Sequence, residues 1–95
     1  MKKLEKLYKK YEDEYLKFDN VENKLSNRPD LHAFLLLDKL FPSNMEMIAA
    51  AEHDQICLEV EPDKLSRKAT EEQILELIRC GVMYDADMDS LTMFA

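Results

Sequence analysis

Ninety-five residues with a formal net charge of −7 and 46% hydrophobic content make one domain with a thin core, because a chain of this size buries only about 60–65% of its unfolded surface. No apolar run approaches the roughly 20 residues of a membrane span, and Met1-Lys2-Lys3 leads into the mixed Leu4-Glu5-Lys6-Leu7 rather than the apolar core of a signal peptide. The excess charge is uneven: residues 1–26 hold seven lysines against six acids, while residues 46–95 hold twelve acids against four bases. An acidic C-terminal half offers no counter-charge to nucleic acid or an anionic membrane, and suits a basic partner protein.

Taken in chain order, residues 3–26 contain no Gly or Pro, and Leu4, Tyr8, Tyr11, Tyr15, Phe18 and Leu25 follow a four-three spacing. That pattern predicts one long helix over 1–26, protruding or oligomerising, with those six residues as the seam between copies. Small domains gain stability by self-association, so a homo-oligomer, a dimer first, is expected. Pro29 and Asp30 suit the start of a second helix, whose Leu31, Ala33, Phe34, Leu35, Leu36, Leu37, Leu40 and Phe41 cover most of its circumference. Pro42 ends it. Ser43-Asn44-Met45-Glu46 reads as a capping box for a third short helix through about Glu52.

Gln55 to Val60 alternates, with Ile56, Leu58 and Val60 on one face, which predicts a half-buried strand. Pro62 to Lys68 reads as one or two helical turns. Thr70-Glu71-Glu72-Gln73 is a second capping box, followed by the apolar stripe Ile74, Leu75, Leu77 and Ile78. Gly81, the single glycine, suits the left-handed position that closes this helix. Beyond it, pairing Tyr84 with Leu91 also pairs Val82 with Met93, which predicts a hairpin with Asp85, Asp87 and Asp89 at its turn. The expected fold is α+β: a helical body over 29–95 with a small, mostly antiparallel sheet of about three strands.

Chemistry has few footholds. Asp85-x-Asp87-x-Asp89 resembles the opening of a calcium loop, but its sixth position is Ser90 rather than glycine and no helix follows. His32, His53, Cys57 and Cys80 match no zinc-site spacing, and two cysteines in a reducing compartment are expected to be free thiols. Glu52-His53-Asp54 concentrates titratable groups at an element end, where capping and surface pairing explain them. One glycine builds no phosphate loop, and no serine sits in a nucleophile elbow. No catalytic residue, metal or cofactor is expected.

The segments His32-Ala33-Phe34-Leu35-Leu36-Leu37-Asp38-Lys39-Leu40, Ala50-Ala51-Glu52-His53-Asp54 and Arg79-Cys80-Gly81-Val82, with Tyr84-Asp85, Asp89-Ser90-Leu91 and Met93-Phe94, resemble small proteins encoded by bacteriophages and prophages. The likeness covers roughly residues 30–95 and carries no site residue across. It implies expression in a bacterial host cytoplasm and an accessory role, often inhibition of host proteins, defence systems among them.

The expected function is therefore that of a non-enzymatic acidic binding or inhibitor protein occupying a basic surface on a host protein, with a DNA-mimic mode as one version. Asp85, Asp87, Asp89, Glu71, Glu72 and Glu76 are the expected contacts. One alternative is a sponge for nucleotide signals with its pocket built between protomers, phosphate being held by the first-helix lysines, Arg28 and Arg79 and the base stacked on Tyr8, Tyr11 or Tyr15. Another is a virion or scaffold component assembled through the first helix.

Overall fold

The computed structural model describes residues 3–21, 24–42, 47–52 and 55–94. Among these residues, four α-helices and a four-stranded antiparallel sheet share one apolar core. The first helix, α1, spans only Lys3–Lys10, with Leu4 and Leu7 turned inward. Two single 3-10 turns follow, Glu12–Glu14 and Phe18–Asn20.

The long helix expected over 1–26 is thus corrected, and the reason is tertiary. Leu16 takes a positive φ of 64°, which no helix tolerates, and its N–H donates to the carbonyl of Ile78 at 3.2 Å. Arg79 donates from Nε to Glu14 Oε1 at 3.0 Å, from Nη2 to the same oxygen, and from Nη1 to the carbonyl of Asn20 at 3.2 Å. These bonds reward a chain that folds back along the last helix over one that continues straight. The stripe consequently packs on its own domain: Leu4 is core, and Tyr8, Tyr11, Tyr15 and Phe18 lie against that core, while Leu25 is half exposed.

Helix α2, Pro29–Leu40, begins with proline at its first position, and the Asp30 carboxylate accepts from the N–H of Leu31. It buries one face, His32, Ala33, Leu36, Leu37 and Leu40, and leaves Leu31 and Leu35 exposed. It is therefore not enclosed on nearly all sides as its composition suggested.

The third helix expected through Glu52 is also corrected. Ile48–Glu52 is a strand, β1, paired antiparallel with β2, Gln55–Leu58, with Ala51 opposite Ile56 and a bulge between Ile48 and Ala50. Alanine is the strongest helix former, but the preference amounts to only about a few tenths of a kcal/mol per residue, and pairing with the available edge of β2 overrides it. The capping residues 43–46 and the His53-Asp54 pair lie outside the described residues.

Helix α3, Pro62–Lys68, buries Leu65. Helix α4, Glu71–Arg79, carries the full capping box: Thr70 Oγ1 accepts from the N–H of Gln73 at 3.1 Å, and Gln73 Oε1 accepts from the N–H of Thr70 at 2.9 Å. At its other end the N–H groups of Gly81 and Val82 donate to the carbonyls of Ile78 and Leu77, both at 3.0 Å. This is a Schellman closure, and it holds Gly81 at a φ of +94°.

Strands β3, Met83–Asp85, and β4, Ser90–Phe94, pair with Tyr84 opposite Leu91. The sheet order is β1-β2-β4-β3, one strand more than expected. Leu58 lies opposite Leu91, and both are buried with Met93 and Val82 against the helices. Each such side chain contributes about 2 kcal/mol through removal from water.

Candidate functional site

Where β2 leads into α3, the segment 59–63 alternates acidic and apolar residues: Glu59, Val60, Glu61, Pro62, Asp63. Pro62 is fixed at the first position of α3 and buried, so the acids flanking it stand outward. The β3–β4 turn approaches the same place with Met88, Asp89 and Ser90, and the end of α2 supplies Phe41. Together they enclose a groove of about 630 Å³, with Cys57 and Leu58 also lining it.

The groove pairs an apolar lining with an acidic one. Phe41, Leu58, Val60 and Met88 supply the apolar contribution, and Met88 is 71% exposed. Glu59, Glu61, Asp63 and Asp89 supply four carboxylates against a single lysine, Lys64. That lysine lies 3.8 Å from Glu61, with both side chains largely in water, where an ion pair contributes little. One cation is already seated nearby: Lys68 Nζ lies 5.1 Å from the centre of the Phe41 ring.

The turn itself is built by its acids. Asp85 Oδ1 accepts from the N–H of Asp87 at 3.0 Å and of Met88 at 3.2 Å. Asp89 adopts a φ of +50° and accepts from the Tyr84 hydroxyl at 2.8 Å. These are the roles aspartate commonly takes in turns. Among the described residues, no three His, Cys, Asp or Glu side chains converge on a point that would hold a metal ion.

The six expected contact residues do not line one cavity. Asp89 lines the groove, while Asp85 and Asp87 line a shallower cavity of about 330 Å³ beside Gln55 and Met83. Glu71, Glu72 and Glu76 line neither. Glu71 instead accepts from the Tyr11 hydroxyl at 2.6 Å and from Lys10 at 3.3 Å. The Tyr11 hydrogen bond first, then that of Lys10, holds its carboxyl below the ordinary glutamate range. Glu76 lies 3.6 Å from Nε2 of the buried His32, whose Nδ1 accepts from the N–H of Leu25 at 3.0 Å. Glu71 thus ties α4 to the N-terminal segment, while His32 Nε2 makes no hydrogen bond to Glu76 or to any other described residue.

The acidic excess of the C-terminal half includes the groove residues Glu59, Glu61 and Asp63 without distinguishing them from its other acids. Their signal was present, since they repeat the alternate-carboxylate spacing of Asp85, Asp87 and Asp89. Of the two thiols, Cys57 is half buried at the groove, and Cys80 is buried in the core. Burial, and then the neighbouring Glu76, push the Cys80 thiol up to about 12, which leaves it protonated and unreactive. No helix among the described residues is long and apolar enough to cross a membrane.

No protein-family model, curated protein or solved structure matches the chain.

Proposed function

We propose that this protein is a non-enzymatic acidic binding protein that seats a basic segment of a partner protein in the groove between β2, α3 and the β3–β4 turn. The observation that carries the proposal is the composition of that groove: four carboxylates and one lysine around Phe41, Leu58, Val60 and Met88. A segment with lysine or arginine flanking an apolar side chain matches both components. Opposite charge steers the encounter, and the apolar contact slows release. The likeness to phage-encoded proteins makes a bacterial host protein the natural partner, and inhibition by occupancy the natural effect. Self-association through Leu25 and neighbouring exposed side chains belongs to the same proposal, although Leu4 is buried in the protein's own core and Tyr8 packs against it.

The nucleotide-sponge alternative has less support. Arg79 is engaged by Glu14 and Asn20, and Lys10 by Glu71, so a phosphate would have to displace carboxylates to reach them.

The test is calorimetric titration with a short peptide alternating arginine or lysine with leucine, at two salt concentrations. Affinity should fall several-fold as salt rises, because the charges sit at an exposed rim. It should fall at least as far in the triple variant Glu59→Gln/Glu61→Gln/Asp63→Asn. Binding indifferent to both changes would remove the groove from consideration.

A further inference from the structure

A further cavity, of about 380 Å³, opens between α1, the turn that follows it, α4 and β3. Three of the chain's four tyrosines, Tyr8, Tyr15 and Tyr84, line it, beside Ile78 and Val82. Glu12 is its only charged lining residue among those described. The volume lies within the range of small-ligand sites.

Four features of its walls bear on what it holds. The rings of Tyr8 and Tyr84 lie 6.1 Å apart and are inclined at 47°, so two aromatic walls meet at an angle. Tyr84 is fixed by its hydroxyl bond to Asp89. The Tyr8 hydroxyl is buried with no hydrogen-bond partner among the described residues. Glu12 is exposed and makes no ion pair among the described residues.

Aromatic ring faces attract cations, and the carboxylate of Glu12 gives the cavity a negative charge with no internal partner. The kind of cation follows from Tyr8. A quaternary ammonium has no N–H to give its hydroxyl oxygen. A primary ammonium is a strongly hydrated point charge that resists entry between rings. A guanidinium is planar, weakly hydrated and carries five N–H donors, so it stacks on one ring while donating to neighbours. We propose that this cavity receives the guanidinium of an arginine side chain, stacked among Tyr8, Tyr15 and Tyr84 and donating to Tyr8 Oη and the Glu12 carboxylate. The Tyr8 hydroxyl is covered beforehand, so entry includes rotation of a wall side chain.

The proposal rests on the reading of a basic partner segment and names its anchor. Tyr84 lines this cavity and Asp89 lines the groove, so the hydrogen bond between them joins the two sites.

The test titrates N-acetyl-arginine amide into the full chain carrying ring-labelled tyrosine, with the four signals assigned by single Tyr→Phe variants. The Tyr8, Tyr15 and Tyr84 signals should shift together and saturate in the millimolar range, while that of Tyr11 stays still. N-acetyl-lysine amide and choline should bind at least about threefold more weakly, the scale of one exposed cation–ring contact. Glu12→Gln should weaken arginine binding by a similar factor. Tyr8→Phe keeps the ring but removes the acceptor, so it should abolish the preference for arginine over choline; a side chain that only packs would leave that ratio unchanged.

Silent Tyr8, Tyr15 and Tyr84 signals, or choline binding as well as arginine, overturn the proposal. The two readings fail separately. Peptide binding that depends on Glu59, Glu61 and Asp63 but leaves these rings silent removes the arginine pocket alone. Arginine amide binding with no peptide binding in the groove removes the groove alone.

Discussion

Replacing Gly81 with alanine tests how α4 hands the chain to the sheet. At a φ of +94° the new side chain occupies left-handed backbone space, which costs an L-residue about 1–2 kcal/mol. The added Cβ would also lie 2.7 Å from Leu16 Cδ2, closer than real atoms approach. Leu16 is 60% exposed, so its side chain can turn away, and that part of the cost is small. The sum is roughly 2 kcal/mol, or a fall in Tm of about 8–16 °C for a domain of this size. Urea unfolding followed by far-ultraviolet circular dichroism should show a lower midpoint with an unchanged slope. Repeating the substitution in a Leu16→Ala background separates the two contributions. The steric part should vanish, and the conformational part, still about 1–2 kcal/mol, should remain. A cost below about 0.5 kcal/mol in the native background would refute the assignment of strain to Gly81.

Three further outcomes are expected. Thr70→Ala removes the oxygen that accepts from Gln73 N–H and should cost about 1 kcal/mol in the same unfolding experiment. Arg79→Ala leaves Glu14 without its donors in a site that is only partly exposed, and should cost roughly 1.5–3 kcal/mol. Limited proteolysis should then cut first within residues 12–20, and cleavage elsewhere would count against the role given to this pair. Cys80 should ignore thiol reagents in the folded protein while Cys57 reacts. Because its folded pKa is raised from 9.0 to about 12, the unfolded chain loses its proton first, and stability should decline as pH rises between those values. A thiol titration showing both cysteines reacting at equal rates would contradict this burial.

What the sequence disclosed divides by range. The Thr70 box and the Gly81 closure were legible because each is settled within four or five residues. The pairing of Tyr84 with Leu91 needs only a short turn and side-chain alternation. The straight helix over 1–26 failed because the forces that bend it come from residues about 60 positions away: Arg79 is 65 residues from Glu14, and Tyr11 is 60 from Glu71. Local periodicity carries no trace of such bonds. β1 was missed for a related reason, since an alanine run adopts whichever structure its neighbours reward, and here the reward is the edge of β2. The groove was half visible. The charges at 59–63 could be counted, but the approach of Phe41 and Met88 depends on how α2, β2 and the hairpin are assembled.

The strand order β1-β2-β4-β3 sets a schedule for folding. Each neighbouring hairpin, β1 with β2 and β3 with β4, can zip locally, yet the two halves meet only through β2 against β4. A nascent chain released as far as Asp89 would hold one isolated hairpin and a three-residue strand with no mate, and an isolated hairpin is marginal in water. Residues 90–94 act as the keystone: until they emerge, Leu58 and the helical core lack the surface they close upon, so premature termination in this stretch should leave a chain for proteases rather than a smaller working protein.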